Sequence, residues 1–226
     1  MKLEDIRKKQ FFLFDMDGTL VDLEEMNYRC FRDTAKELLL QELTFEQYMH
    51  FFAGVGSVKG FSGYIEQLNI RSYTAAELVA HYRAQKSNYL ATRFDEVVTL
   101  IDGAMDFLQR LRALNKKLAV GTSTVRVFAH QILEKSGLAQ YFDAIISVDD
   151  VVHSKPAPDI FNKALDAIQG TKEKAVIFED SGNGVKSAEN SEMDFIVIHN
   201  KGKNDAVVAG RKNVISTYTA LLPFLE

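Results

Sequence analysis

Residues 11–19 read FFLFDMDGT. Phe11, Phe12, Leu13 and Phe14 form an unbroken apolar run, the pattern of a short strand covered on both faces. Asp15 and Asp17 follow at its carboxyl end, the edge where open parallel α/β sheets gather their ligands. Gly18 permits a sharp turn straight afterwards. Ionised carboxylates are almost never buried without a partner or a metal, so two of them ending an apolar strand predict a crevice. An isolated Asp-Gly also reads as an ordinary turn with solvated acids. The rest of the chain has to choose between the two.

Working outward, four more short apolar runs read as strands: residues 117–121, 144–148, 175–178 and 195–198, with Val214 and Ile215 as a sixth. Helical patterns separate them, marked by Phe107, Leu108, Leu111 and Leu114, by Val127, Ile132 and Leu133, and by Ile160, Phe161 and Leu165. Strands alternating with helices at this spacing predict a doubly wound parallel sheet. Between the first two strands lies a different region. Tyr28, Phe31, Ala35, Leu38 and Leu39 follow helical spacing, Thr44 reads as the N-cap of a second helix, and Thr74 with Glu77 forms a capping-box signature. Residues 24–90 contain no candidate sheet strand, which predicts an all-helical cap inserted into an α/β core. The expected division is 1–21 and 96–226 for the core and 22–95 for the cap. Within that insert, AGVGSVKG at 53–60 fails the Walker and dinucleotide patterns and is read as a flexible turn between helices.

The 226 residues, 46% hydrophobic and 26% charged, suit a globular chain with a sizeable core. A net charge of −4 leaves no basic footprint for nucleic acid. The single cysteine, Cys30, excludes an intrachain disulfide. The amino-terminal stretch before Asp15 has too few apolar residues for a signal core or a membrane span. The expectation is a cytoplasmic protein with no membrane or nucleic-acid partner, a monomer or weak homo-oligomer.

The polar residues at the strand ends carry the chemistry. The first strand ends in Asp15 and Asp17, the second in Thr122, Ser123 and Thr124, the third leads to a loop bearing Lys155, and the fourth ends in Glu179 and Asp180. Carboxylates sharing a crevice repel one another, and a hard cation with oxygen ligands relieves that repulsion; Mg²⁺ takes one or two carboxylates plus phosphate oxygens. Lys155 would supply a compact positive charge for a phosphoryl group, and Thr122 a donor to a nonbridging oxygen.

DMDGT at 15–19, the hydroxyl after KLAVG, SKPAPDIF at 154–161 and FEDSGNG at 178–184 resemble the four motifs of the haloacid dehalogenase superfamily, in order and across nearly the whole chain. The helical insert after the first motif is similar to the cap of its β-phosphoglucomutase-like subgroup. The resemblance implies that Asp15 is the nucleophile forming an aspartyl phosphate and that Asp17 is the general acid and then the general base. It implies Mg²⁺ held by Asp15, Asp180 and the Asp17 carbonyl, with Glu179 bound directly or through water. Thr122 and Lys155 match the second and third motif residues. Asp17 argues against dehalogenation, which has no leaving alkoxide to protonate. In β-phosphoglucomutase a cap histidine and a cap arginine hold the sugar phosphate; here Asn27 aligns with the first and AGVGSVKG contains no arginine. The resemblance therefore favours hydrolysis of a small phosphorylated metabolite, a sugar or nucleotide phosphate, with hexose-phosphate mutation as the alternative and a non-catalytic ligand-binding regulator as a third. Ser123, Lys59 and Asn27 join Thr122 and Lys155 as expected phosphate or substrate contacts. The five histidines show no ligand spacing such as HExxH. Cys30 reads as a packed hydrophobe, and Arg126 as a surface residue.

Overall fold

The computed structural model describes residues 1–200 and 202–225. Its strands are β1 (Phe11–Phe14), β2 (Val21–Asp22), β3 (Thr99–Leu100), β4 (Lys117–Gly121), β5 (Ala144–Ile146), β6 (Ala175–Glu179), β7 (Asp194–Ile198) and β8 (Val214–Ile215). The helices are α1 (Glu24–Leu39), α2 (Phe45–Phe51), α3 (Ser57–Gln67), α4 (Ala75–Thr92), α5 (Phe94–Val97), α6 (Ala104–Ala113), α7 (Arg126–Lys135), α8 (Asp159–Ala167), α9 (Gly182–Ser191) and α10 (Asp205–Val208). The chain divides into two compact units, one of Met1–Asp22 with Leu100–Glu226 and one of Leu23–Thr99.

In the first unit the six sheet strands run in the order β5-β4-β1-β6-β7-β8, and the described pairings are parallel. The chain builds outward from β1 to one side, then returns to build outward on the other. The reversal lies beside β1, so β1 and β6 flank the crevice that a doubly wound sheet opens to ligands. Phe14 pairs in register with Val120 of β4 and Phe178 of β6. The apolar run is continuous because both faces are covered. Leu13, Ala119 and Ile177 pack on one side with Phe161, Ala164 and Leu165 of α8 and Ala188 of α9. On the other side the Phe14 and Phe178 rings stack at 4.7 Å, and Phe107 of α6 and Tyr218 close over them. Residues 144–146 form β5, two fewer than the sequence suggests, because Asp150 accepts from both the N–H and the hydroxyl of Ser147 and turns the chain.

The second unit holds helices α1–α5. Its interior is aromatic: Phe31 stacks on Phe52 at 4.1 Å and on Tyr82 at 4.3 Å, with Phe61 at 5.1 Å. Both expected N-caps form capping boxes, Thr44 with Gln47 and Thr74 with Glu77. The stretch 53–60 corrects the sequence reading. Only its first half is a turn; Ser57 opens α3, and Lys59 lies in the first helical turn. Gly60 is there for close packing, since a Cβ would stand 2.4 Å from the Phe52 ring. Among the described residues no helix is long and apolar enough to cross a membrane.

Candidate active site

Asp15 leaves β1 still tied to the sheet, its N–H donating to the Phe178 carbonyl at 2.9 Å. Its side chain is buried and ends on Lys155: the ammonium lies 2.5 Å from Asp15 Oδ1 and 2.7 Å from Glu179 Oε1. Lys155 is itself buried, with Nζ 4.5 Å from the centre of the Phe161 ring. A buried ammonium needs such partners, because desolvation otherwise drives it neutral. Burial lowers its pKa, but Asp15 and Glu179 more than offset this and hold it above the usual lysine range.

Glu179, the last residue of β6, is fully buried. Its second oxygen accepts from the N–H of Asp180 at 2.7 Å and from the N–H and hydroxyl of Ser181 at 2.9 and 3.1 Å. Ser181 in turn caps α9 by accepting from Gly184 N–H at 3.0 Å. The second glycine of GNG explains itself here. A Cβ on Gly184 would lie 1.7 Å from Glu179 Oε1, so only glycine lets the carboxylate tuck beneath the helix start.

Asp180, half-buried, faces the turn after β1. That turn is closed by Leu20 and Val21 N–H groups donating to the Met16 carbonyl at 2.9 and 3.1 Å. Gly18 sits at φ +78°, and a Cβ there would meet Asp180 Oδ2 at 2.1 Å. Conformation and space both exclude a side chain at this position. Thr19 Oγ1 lies 3.4 Å from Asp180 Oδ1.

Asp15, Glu179 and Asp180 can each offer a carboxylate oxygen within 4.8 Å of one another. Burial pushes the Asp15 carboxyl up to about 7 against the pull of Lys155, with Glu179 and Asp17 adding to the rise. Asp180 is raised well above the carboxylate range, by burial first and then by Glu179, Asp15 and Asp17. The cluster thus carries more negative charge than Lys155 offsets. Hard oxygen donors with surplus charge fit a Mg²⁺-type cation.

Thr122 sits at the end of β4, beside β1, and is buried; its N–H donates to Ile146 and its Oγ1 accepts from Thr124 N–H at 3.1 Å. The hydroxyl proton is the remaining donor. Asp17 is half-buried in the turn, and Ser123 is exposed. In the helical unit, Asn27 Oδ1 accepts from Tyr82 OH at 3.1 Å and from the buried Lys86 ammonium at 3.2 Å. Lys59 is exposed on α3. Cys30 is buried, and burial pushes its thiol up to about 12, as expected of a packed residue. Arg126 is exposed and pairs with Asp150 at 2.5 Å.

Sequence reasoning missed Asn200 and Lys86. Asn200 follows β7 at the same sheet edge as Asp15, Thr122 and Asp180, so the rule of polar residues at strand ends would have found it. Lys86 falls four residues after Tyr82, on the apolar stripe of α4, a position a solvated lysine does not take.

Comparison with known proteins gives the same assignment. Residues 12–198 match the family described as Haloacid dehalogenase-like hydrolase. A phosphorylated carbohydrates phosphatase of Thermotoga maritima is 30% identical over 195 residues, 84% of this chain and 87% of that protein. The solved structure of CbbY from Rhodobacter sphaeroides in complex with phosphate is 24% identical and superposes with a TM-score of 0.79 over 96% of this chain and 99% of that one. A β-phosphoglucomutase from Clostridium difficile is 14% identical, with a TM-score of 0.76 over 96% and 97% of the two chains. At these identities the two structures speak for the fold alone. The match over residues 12–198 spans both compact units and every strand-end residue of the carboxylate cluster, and the chain belongs to the haloacid dehalogenase-like hydrolases.

Proposed function

We propose that this chain is a cytoplasmic Mg²⁺-dependent phosphatase that hydrolyses a small organic phosphate monoester, a sugar or nucleotide phosphate, through an aspartyl-phosphate intermediate. The observation that carries the reading is the Lys155 ammonium shared between Asp15 and Glu179, with Asp180 in reach of both. A buried ammonium that orients one carboxylate leaves the other Asp15 oxygen to act as nucleophile. The name of the Thermotoga maritima relative favours phosphorylated carbohydrates as the substrate class.

In the proposed sequence Asp15 attacks phosphorus as the ester P–O bond breaks, and Asp17 gives its proton to the departing alkoxide. Asp17 then takes a proton from water, which attacks phosphorus and releases Asp15 and inorganic phosphate. Lys155 and the Thr122 hydroxyl hold the nonbridging oxygens, with Ser123 beside them. Asp15, Asp180 and the Asp17 carbonyl would hold Mg²⁺, and Glu179 would reach it through water while orienting Lys155. The ion, when bound, supplies charge neutralisation for the transferring phosphoryl group. In the helical unit, taken as the cap, Asn27 and Lys59 are assigned to substrate recognition.

Phosphate release across a panel of sugar, nucleotide and small-acid esters, with Mg²⁺ and with chelator, tests the reading. Metal-dependent release concentrated on sugar or nucleotide esters is expected; failure on every ester would overturn it. Conversion of β-glucose 1-phosphate to glucose 6-phosphate, primed with bisphosphate and without phosphate release, would establish the mutase instead.

A further inference from the structure

The loop after β7 carries two asparagines whose side chains end on Asp180 from different sides. Asn200 Nδ2 donates to Asp180 Oδ2 at 3.1 Å and to the Gly18 carbonyl at 2.7 Å. Asn204 is buried, and its Nδ2 donates to the main-chain carbonyls of Asp180 and Ile198, each at 2.8 Å. Its Oδ1 accepts the Asn200 N–H at 2.9 Å, so one asparagine holds the other. An amide NH₂ has two protons. Those of Asn200 join the acid after β6 to the turn after β1, two segments 162 residues apart (180 − 18).

The choice of an amide has an electrostatic consequence. A lysine or arginine here would also orient Asp180, but it would cancel the charge that draws a cation. Lys155 is already committed to Asp15 and Glu179. A neutral donor fixes the Asp180 carboxylate without neutralising it. With Oδ2 tied to Asn200 and Oδ1 near Thr19, the remaining lone pairs of Asp180 can turn toward the oxygens of Asp15 and Glu179.

We propose that Asn200 is a positioning residue for divalent-cation binding: its amide fixes the Asp180 carboxylate against the Gly18 turn, and Asn204 anchors the main chain that carries it. The role rests on the Mg²⁺ reading above and deepens it. Partners of this kind, which touch a ligand rather than the metal, typically change metal affinity about 10–100-fold when removed.

Calorimetric titration of the intact chain with Mg²⁺ tests the role, using Asn200→Ala and Asn200→Leu beside the wild type. The leucine keeps the side-chain volume while losing both donors, so it reports even if the alanine variant folds poorly. Asn213→Ala serves as the control, because that amide also donates to a main-chain carbonyl, that of Phe195 at 2.6 Å, but at the amino-terminal end of β7, away from the carboxylates. The expected result is a Mg²⁺ dissociation constant raised about 10–100-fold in both Asn200 variants and unchanged in the control. Wild-type affinity in the Asn200 variants, with only the metal-free melting temperature lowered, overturns the role and leaves the metal reading standing. No Mg²⁺ binding by the wild type overturns both. An equal loss in Asn213→Ala also overturns it.

Discussion

Two residues at the centre of the cluster have consequences for stability as well as for catalysis. Lys155 is the ammonium between Asp15 and Glu179. Replacing it with methionine keeps the stem and leaves two buried carboxylates facing each other. In the absence of divalent metal, Lys155→Met should lose about 3–5 kcal/mol of stability, the usual cost of orphaning a buried charge, as read from urea unfolding. An unchanged midpoint would mean that the pair is not buried as described. Gly184 makes the opposite kind of demand, for empty space. Gly184→Ala puts a methyl group inside the Glu179 carboxylate, and shifting that carboxylate should cost about 1–3 kcal/mol and displace Lys155 with it. Circular dichroism melts together with phosphate-release rates check both effects. A fully active, equally stable variant would show that Glu179 has room to move.

Among elements, β1 was the most legible in the sequence and α3 the least. Four consecutive apolar residues suit a strand with both faces covered, and Leu13 facing α8 while Phe12 and Phe14 face Phe107 is that arrangement realised. The stacked Phe14 and Phe178 rings hold β1 against β6, and so hold Asp15 against Glu179. Phe178→Ala should therefore cost about 3–5 kcal/mol and reduce activity as well, a link that parallel measurement of unfolding and turnover exposes. If stability falls with turnover intact, the ring stack does not set the spacing of the carboxylates. The start of α3 was hidden because glycine and serine weaken every helical signal in residues 53–60. Gly60 is selected by the Phe52 ring packed against it, a contact that no local pattern announces. Asn200 was legible as a polar residue after a strand, but its role was not. Its partners lie in two other segments, and a single polar residue after a strand acquires meaning only when the sheet order brings Gly18 and Asp180 to it.

At the scale of the whole molecule, the carboxylate cluster is a cost of folding that the proposed cation would relieve. With Asp15 held at about 7 by burial, the folded chain keeps a proton that the unfolded chain releases near its ordinary value of 3.8. That contribution to stability is complete below the unfolded value and is lost as pH rises through about 7. On the proposed reading Mg²⁺ would compete with those protons, so the rise in melting temperature on adding it should grow from about pH 5 to about pH 8. At a hundredfold excess over the dissociation constant the stabilisation amounts to about 2.7 kcal/mol. A Mg²⁺ effect that is flat or shrinks with pH would contradict the cluster as the binding site. The central claim, that Asp15 is the attacking group of this cluster, is tested most directly by phosphate release from the best ester of the panel by Asp15→Asn in saturating Mg²⁺. Its kcat should fall at least about 10⁴-fold with the fold retained. Undiminished release would contradict it.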